Sequence, residues 1–285
     1  MTTAPRIPLE GTLAQVVGVC DGLSARIAAG FGFDWLHIGG YNVSGAQFGM
    51  PDVGLLTLTE IAEAARRVVG ATDAPVLVDG DDGYGNHRNV MRLVRDIEAT
   101  GAAGIHLEDQ VFPKKCGHMA GKRVVPADRF VAKIKAFVDT RKSEDFLLFA
   151  RTDAIAVEGF EAAIDRANLY REAGADVIFV EAPVTREQVE AIPRLVPGPL
   201  LYNWVFRGLS PLVPLDELAG LGYRYCLQAD VLYPVAHALT DYFSSLARTK
   251  GYDPVADRML SFDAFNEIVG LSAVEAADRR YDPDA

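Results

Sequence analysis

The sequence predicts an α/β fold, a closed (β/α)₈ barrel of the TIM type with an extra helical segment after it. Three observations carry this. Short apolar runs recur eight times along the 285 residues, each followed by a stretch with helical periodicity, the alternation of parallel strands and crossover helices. Most of the runs are dense in Val, Ile, Leu and Phe without polar alternation, as strands covered on both faces are. Gly-rich segments stand between the helical stretches and the runs that follow them.

In chain order the predicted strands are 16–20, 35–40, 75–80, 104–109, 146–151, 177–181, 200–203 and 224–228. The outer helices are predicted at 56–69, 90–100, 127–140, 160–173 and 185–192, where apolar residues return every three or four positions. Thr100-Gly101-Ala102-Ala103-Gly104 and Ala173-Gly174-Ala175-Asp176 supply helix exits. The eighth run leads to a helix at 234–249, then to a further helical segment at 261–277 that a closed barrel does not need. That segment is expected to pack on a neighbouring subunit. There is no internal repeat or interdomain linker, so 1–285 is read as one barrel domain with 250–285 as a helical extension.

Composition narrows the function. Hydrophobic residues at 49% and charged residues at 24% are ordinary globular usage. A formal net charge of −11 argues against nucleic acid, whose binding depends on clustered Lys and Arg. The first thirteen residues have no basic start and no apolar run of signal length, and no stretch of about 18 apolar residues occurs, so a cytoplasmic protein without a membrane partner is expected. Three cysteines, Cys20, Cys116 and Cys226, are too few and odd in number for a disulfide framework. Asn42-Val43-Ser44 matches a glycosylation sequon, which carries no meaning without a secretory signal.

Polar residues cluster at one end of the predicted strands. Asp79, Asp81, Glu108, Asp109, Arg151, Glu181 and Asn203 all fall at or just after a strand's C-terminal end, the face on which such barrels build active sites. A single carboxylate there could serve only to cap the next helix, but five strands ending this way point to a site. Asp79-Gly80-Asp81-Asp82-Gly83-Tyr84-Gly85 puts carboxylates on a flexible turn, and Glu108 ends the adjacent strand. Alone the motif reads as a tight Asp/Gly turn; with Glu108 the hard oxygen set suits Mg²⁺, with Mn²⁺ as an alternative.

Pro113-Lys114-Lys115-Cys116-Gly117-His118 places a thiol between cations and beside an imidazole. Positive neighbours lower a thiol's pKa, so Cys116 is expected to be an activated proton donor or acceptor rather than a structural cysteine. A zinc site does not fit, since Cys116 and His118 are too close and the other cysteines remote. Gly117 to Lys122 is one residue short of a phosphate loop and has Arg123 where Ser or Thr is required. Arg151 offers a planar fork for a carboxylate, or a rim salt bridge to Glu181 or Asp153. His37 and His106, inside strands, read as satisfied core or lumen residues, and His87 as a surface residue.

Lys114-Lys115-Cys116-Gly117-His118, Gly49-Met50-Pro51-Asp52, Asp79-Gly80-Asp81, Leu107-Glu108-Asp109-Gln110, Ala150-Arg151-Thr152-Asp153 and Val180-Glu181-Ala182 resemble the motifs of the isocitrate lyase and phosphoenolpyruvate mutase superfamily. The likeness runs from about Gly18 to the C-terminal helices. Gly40-Tyr41, Val78-Asp79-Gly80-Asp81 and Asp109-Gln110-Val111-Phe112-Pro113-Lys114 are most similar to its 2,3-dimethylmalate lyase and oxaloacetate hydrolase branch, which includes the petal death protein.

The resemblance implies that Asp79, Asp81 and Glu108 hold Mg²⁺ directly or through water, with Asp52 supporting them. It implies Cys116 as general acid or base on a closing loop with Lys114 and His118, and Glu181 in the same pocket. Gly40, Tyr41, Arg151 and Asn203 would bind substrate oxygens, and the barrel would swap its C-terminal helix within a homotetramer, a dimer of dimers. Three positions depart from the branch. Asn203-Trp204-Val205-Phe206-Arg207-Gly208 has Phe206 in place of an acid and adds Arg207 as a candidate substrate contact, and Gly39 stands where many lyases place a carboxylate-binding serine.

The expected activity is cleavage of a carbon–carbon bond in a substituted malate-like diacid, releasing a 2-oxo acid. The alternatives are an oxaloacetate-type hydrolase or decarboxylase, a carboxyphosphonoenolpyruvate-type phosphonomutase that would use Arg207 on a phosphorus oxyanion, and a barrel that only binds a metabolite.

Overall fold

The computed structural model describes residues 7–8, 10–252 and 255–282. Eight parallel strands close in chain order: β1 (Ala14–Val19), β2 (Trp35–Ile38), β3 (Val76–Asp79), β4 (Gly104–Glu108), β5 (Leu147–Thr152), β6 (Val177–Val180), β7 (Leu200–Asn203) and β8 (Tyr225–Gln228). Closure is made by β1 against β8, where Val16 pairs with Leu227. Each predicted strand is present, with ends that differ by at most two residues.

The two faces of every strand are buried for different reasons. Alternate residues such as Leu36, Val78, Ile105, Leu148 and Ile178 turn outward into the layer beneath the helices. The intervening ones, including Leu77, Phe149, Phe179, Leu201 and Leu227, turn into the lumen. Because side chains alternate with a period of two, continuous apolar runs are what a sheet covered on both faces requires. The lumen floor is an edge-on aromatic layer in which Trp35 lies 6.1 Å from Phe149 and 5.7 Å from Tyr225, and those two rings lie 5.0 Å apart.

The outer helices Leu58–Val69, His87–Glu98, Ala127–Thr140, Phe160–Glu172 and Arg186–Leu195 match the predicted periodicity. Thr57 and Glu60 form a reciprocal capping box at the start of the first, and Asn86 caps Arg88 N at 2.9 Å in the second. Gly101 (φ 87°) and Gly174 (φ 109°) provide the left-handed exits. Helices Gly22–Gly30 and Leu215–Leu221 have no counterpart among the predicted elements; they are short, and the first is largely exposed, so the apolar period is weak. The single helix expected at 261–277 is two, Phe262–Ile268 and Leu271–Tyr281, broken at Gly270 with φ 85°.

One network fixes the strand ends that carry the site. Asp109 follows β4 and is turned away from the lumen. Its carboxylate accepts from Thr152 Oγ1 (2.8 Å), Tyr170 OH (2.7 Å) and Asp153 N (2.9 Å), and Arg166 Nη1 lies 3.3 Å away. Asp109, a site candidate by its place at a strand end, therefore ties β4 to β5 and to the helix outside them. Asp109→Ala should lower unfolding free energy by about 3–5 kcal/mol, because it leaves buried donors and a cation without their anion. Phe149→Ala should lower it by a similar amount, about 3–5 kcal/mol, through a lumen cavity. Denaturant melts check both, and losses under about 1 kcal/mol would mean that neither group supports the barrel.

Candidate active site

The alternation that fills the lumen also builds its mouth. Two residues beyond the lumen positions Leu77, His106, Phe149, Phe179 and Leu201 come Asp79, Glu108, Arg151, Glu181 and Asn203, all buried. They line one cavity with His37, Gly39, Tyr41, Asp52, Lys114, Cys116 and His118.

On the β3 side Asp79 Oδ2 accepts from Gly40 N at 2.8 Å and Oδ1 from Asp81 N at 2.9 Å. Asp81 holds a left-handed φ of 46°, which turns its carboxylate back toward Asp79. Lys114 Nζ sits 2.6 Å from Asp52 Oδ1 and 2.7 Å from Asp81 Oδ1. Burial disfavours the ammonium, but Asp81, Asp79, Asp52 and Glu108 outweigh it and hold Lys114 well above its ordinary range. Burial is also the largest influence on Asp79, yet His106 and Lys114 prevail and keep it low, whereas burial pushes Asp81 up to about 7. Burial raises Glu108 well above the usual carboxylate range, and its Oε1 has no hydrogen-bond partner. Asp82 turns away, paired with Lys133.

On the opposite side Arg151 Nε and Nη2 bind Asp153 at 2.9 and 3.1 Å, with Glu108 Oε2 at 3.5 Å and Glu181 Oε1 at 3.6 Å. Both possibilities for Arg151 thus hold as geometry: it is bridged at the rim and it faces the cavity. Asn203 Nδ2 donates to Glu181 at 3.1 and 3.2 Å, and His118 Nε2 lies 3.2 Å from Glu181 Oε1. Burial acts against the Glu181 anion, but Arg151 and His118 keep its pKa low. His118 Nδ1 accepts from Leu209 N at 3.0 Å, so a neutral ring carries its proton on Nε2, toward Glu181.

Loop 109–126 is folded down over this mouth. Lys122 Nζ reaches Gly117 O and lies 2.7 Å from Asp153 Oδ1. Gly117 is pressed so close that a Cβ there would lie 2.3 Å from Arg151 Nη2 and nearer still to Glu181. Only glycine permits that approach.

The expectation that cations lower the Cys116 pKa is corrected. Lys114 is engaged by Asp52 and Asp81, and Lys115 Nζ turns to Ala120 O at 3.3 Å. Burial instead raises the thiol above its ordinary value of 9.0, so Cys116 is a neutral S–H at physiological pH. Arg207 stands apart from the other candidates. It is exposed at a φ of 56°, lies over the Phe206 ring at 5.0 Å, and does not line the cavity. Tyr41 is 39% exposed at the rim, 6.3 Å from the ring of Tyr233.

The sequence names Asp153 only as a rim partner of Arg151, which the structure shows, and does not select Lys122 or the cavity-lining Tyr233 and Asp230. The two-residue spacing puts Asp153 on the same side as Arg151; nothing local marks Lys122, Tyr233 or Asp230. His87 is exposed, as expected. His37 and His106 do lie in the lumen, but they are not satisfied: both Nδ1 atoms are buried without partners. Burial is the main cause that lowers both imidazole pKa values, His37 to about 3.

A divalent cation fits this donor set. Six buried carboxylates (Asp52, Asp79, Asp81, Glu108, Asp153 and Glu181) face three buried cations, Lys114, Lys122 and Arg151. The unpartnered Glu108 Oε1 marks a place for a cation, and burial, which raises both Glu108 and Asp81, disfavours their anions until positive charge arrives. Among the described residues no three His, Cys, Asp or Glu side chains form a closed metal cage. Mg²⁺ does not need one, since it keeps waters and substrate oxygens as ligands.

The phosphoenolpyruvate phosphomutase family matches residues 9–245 of this chain. A 2,3-dimethylmalate lyase of Eubacterium barkeri is 41% identical over 285 residues, 99% of each protein. A crystal structure of 2,3-dimethylmalate lyase superposes with a TM-score of 0.91 at 32% identity, covering 96% of this chain and 92% of that one. Oxaloacetate acetylhydrolase in complex with 3,3-difluorooxalacetate superposes with a TM-score of 0.89, also at 32% identity, over 96% and 94%. The chain that folds this barrel and gathers these carboxylates at its mouth belongs to the phosphoenolpyruvate phosphomutase family, within the PEP mutase/isocitrate lyase superfamily.

Proposed function

We propose that this chain is a Mg²⁺-dependent carbon–carbon lyase. Its substrate is a substituted malate-like 2-hydroxy diacid of the 2,3-dimethylmalate or methylisocitrate type, cleaved to a 2-oxo acid and a second carboxylic acid. The observation that carries this reading is the convergence, in one cavity, of unneutralised carboxylates, the Arg151 guanidinium and a protonated thiol. Its kinship with a 2,3-dimethylmalate lyase over nearly the whole chain supports it.

Asp79, Asp81 and Glu108 would hold Mg²⁺ directly or through water, and Asp52 supports them by fixing Lys114. When bound, Mg²⁺ supplies Lewis-acid charge to the oxygens of the acid. Arg151, oriented by Asp153, binds a substrate carboxylate and stabilises negative charge as it develops. Gly39, Gly40, Tyr41 and Asn203 bound the space for the remaining oxygens. As the 2-hydroxyl gives up its proton to a carboxylate of the mouth, which passes it to solvent, and the adjacent C–C bond breaks, one fragment becomes a 2-oxo acid and the other a carbanion next to a carboxylate. Cys116, neutral and at the mouth, delivers the proton that quenches it. Glu181 stays ionised between Asn203, His118 and Arg151 and holds His118 and the loop in place. Loop 109–126 excludes water during the reaction.

Arg207 stacks on Phe206 outside the cavity, which removes the feature that favoured a phosphorus oxyanion. The exposed apolar side chains of helix Leu232–Thr249, among them Leu239 and Phe243, and those of the last two helices, such as Phe262 and Val274, favour burial in a homotetramer. The unit is one barrel with 250–285 as its helical extension. No helix among the described residues is long and apolar enough to cross a membrane, and we read the protein as cytoplasmic.

NMR of the protein with Mg²⁺ and dimethylmalate, methylisocitrate, citramalate, oxaloacetate or phosphonopyruvate tests the reaction. The expected result is release of pyruvate or another 2-oxo acid from a substituted malate, abolished by EDTA. Oxalate with acetate would select the hydrolase, phosphorus migration the mutase, and silence with tight binding a metabolite-binding barrel. Cys116→Ala should keep Mg²⁺ binding and lower turnover by about 10²-fold or more, and an unchanged rate would remove Cys116 from the mechanism. The raised thiol pKa predicts slow labelling of Cys116 by iodoacetamide at pH 7.5, relative to a free thiol, accelerating toward pH 10 as thiolate forms. Peptide mapping reads this, and labelling faster than a free thiol at pH 7.5 would contradict it.

A further inference from the structure

We propose that His37 is a substrate-binding residue whose Nδ1–H donates to an anionic oxygen of the bound acid at the cavity floor, over Gly39. The inference rests on the reading that a carboxylic acid occupies this cavity.

His37 projects into the lumen from β2, and its Nε2 lies 3.0 Å from Nε2 of His106 on β4, with the rings stacked at 5.1 Å and 25°. Two neutral imidazoles that face each other through one nitrogen apiece share a single proton on that axis. The Asp79 carboxylate decides which ring carries it. Asp79 Oδ1 lies 3.4 Å from the same His106 Nε2, so a proton there faces both the carboxylate and His37. The opposite arrangement would turn the bare lone pair of His106 toward an anion in a buried site. His106 is therefore the Nε2–H tautomer, His37 accepts through its own Nε2, and the proton of His37 resides on Nδ1.

That Nδ1 is buried and has no partner within the protein, although buried donors are rarely left unpaired. Its surroundings show where a partner would come from. A Cβ built on Gly39, two residues on and just past the end of β2, would lie 2.8 Å from Cε1 and 3.3 Å from Nδ1 of His37, and the three atoms nearest to it all belong to that ring. The Nδ1/Cε1 edge thus faces the space that the missing side chain leaves open. His37 and Gly39 line the same cavity as Arg151, so a ligand oxygen seated over Gly39 meets a fixed neutral donor from below and a cation at the rim. Any larger residue at 39 would collide with the ring, which makes His37 and Gly39 one functional pair.

The test uses the full-length, Mg²⁺-loaded protein and oxalate, a small dianion with adjacent carboxylates. Resolved ¹⁵N and ¹H NMR signals of the histidine rings should show a proton on His37 Nδ1, and that signal should move on addition of oxalate. His37→Leu should weaken oxalate binding by about 10-fold or more, as loss of a hydrogen bond to a charged group does. His37→Asn, which returns an N–H donor near the Nδ1 position, should recover binding to within about threefold of wild type. A His37 proton on Nε2, a signal unmoved at saturating oxalate, failure of the wild type to bind oxalate, or wild-type affinity in His37→Leu would overturn the proposal. Because oxalate binding does not depend on turnover, the two readings fail separately. An inert substrate panel with an intact His37 response removes the lyase, and turnover without that response removes His37.

Discussion

The structure depends on an imbalance of charge at the barrel mouth. Six carboxylates are buried there against three cationic side chains, in surroundings where an unpaired charge is costly. Each cation is already committed. Lys114 joins Asp52 to Asp81, Lys122 joins the closing loop to Asp153, and Arg151 spans Asp153, Glu108 and Glu181. What remains uncompensated is concentrated at Asp81 and Glu108. Carboxyls kept this close are what the proposed divalent cation would need.

The barrel makes that imbalance tolerable. The same alternation that sends Leu77, Phe149 and Phe179 into the lumen sends Asp79, Arg151 and Glu181 to the mouth, so the placing of these three follows from strand register. The aromatic floor of Trp35, Phe149 and Tyr225 and the Asp109 network on the outer face hold that register. The loop is then aligned by carboxylates on the segments around the mouth: Lys114 and Lys122 anchor it to Asp52, Asp81 and Asp153, and Gly117 allows contact with Arg151 and Glu181. One set of ionic contacts thus shapes the cavity and shuts it.

The barrel and most of its mouth are legible in the sequence because both follow from local signals. Apolar runs without alternation mark strands covered on two faces, and a polar residue ending such a run has only the mouth to face. Asp79, Glu108, Arg151, Glu181 and Asn203 are reachable in this way. Asp109 is not separable from Glu108, because neighbours in a strand point to opposite faces and the strand's phase is set by the closed barrel. Cys116 misleads for a related reason: Lys114 and Lys115 are adjacent in sequence, but distant carboxylates and a carbonyl draw them away, leaving burial to govern the thiol. Arg207 adds a cation to the sequence near the site, yet a left-handed backbone turns it onto Phe206. Lys122 and Tyr233 reach the site only through tertiary folding.

Calorimetric titration of Mg²⁺ into metal-free protein tests the central claim, that the buried carboxyls of Asp81 and Glu108, whose anions burial disfavours, are held ready for a divalent cation. The account predicts uptake of one Mg²⁺ per chain, lost when Asp81→Asn and Glu108→Gln are introduced together into a protein that still folds. Absence of Mg²⁺ uptake by the wild type, or uptake unchanged in the double variant, would contradict it.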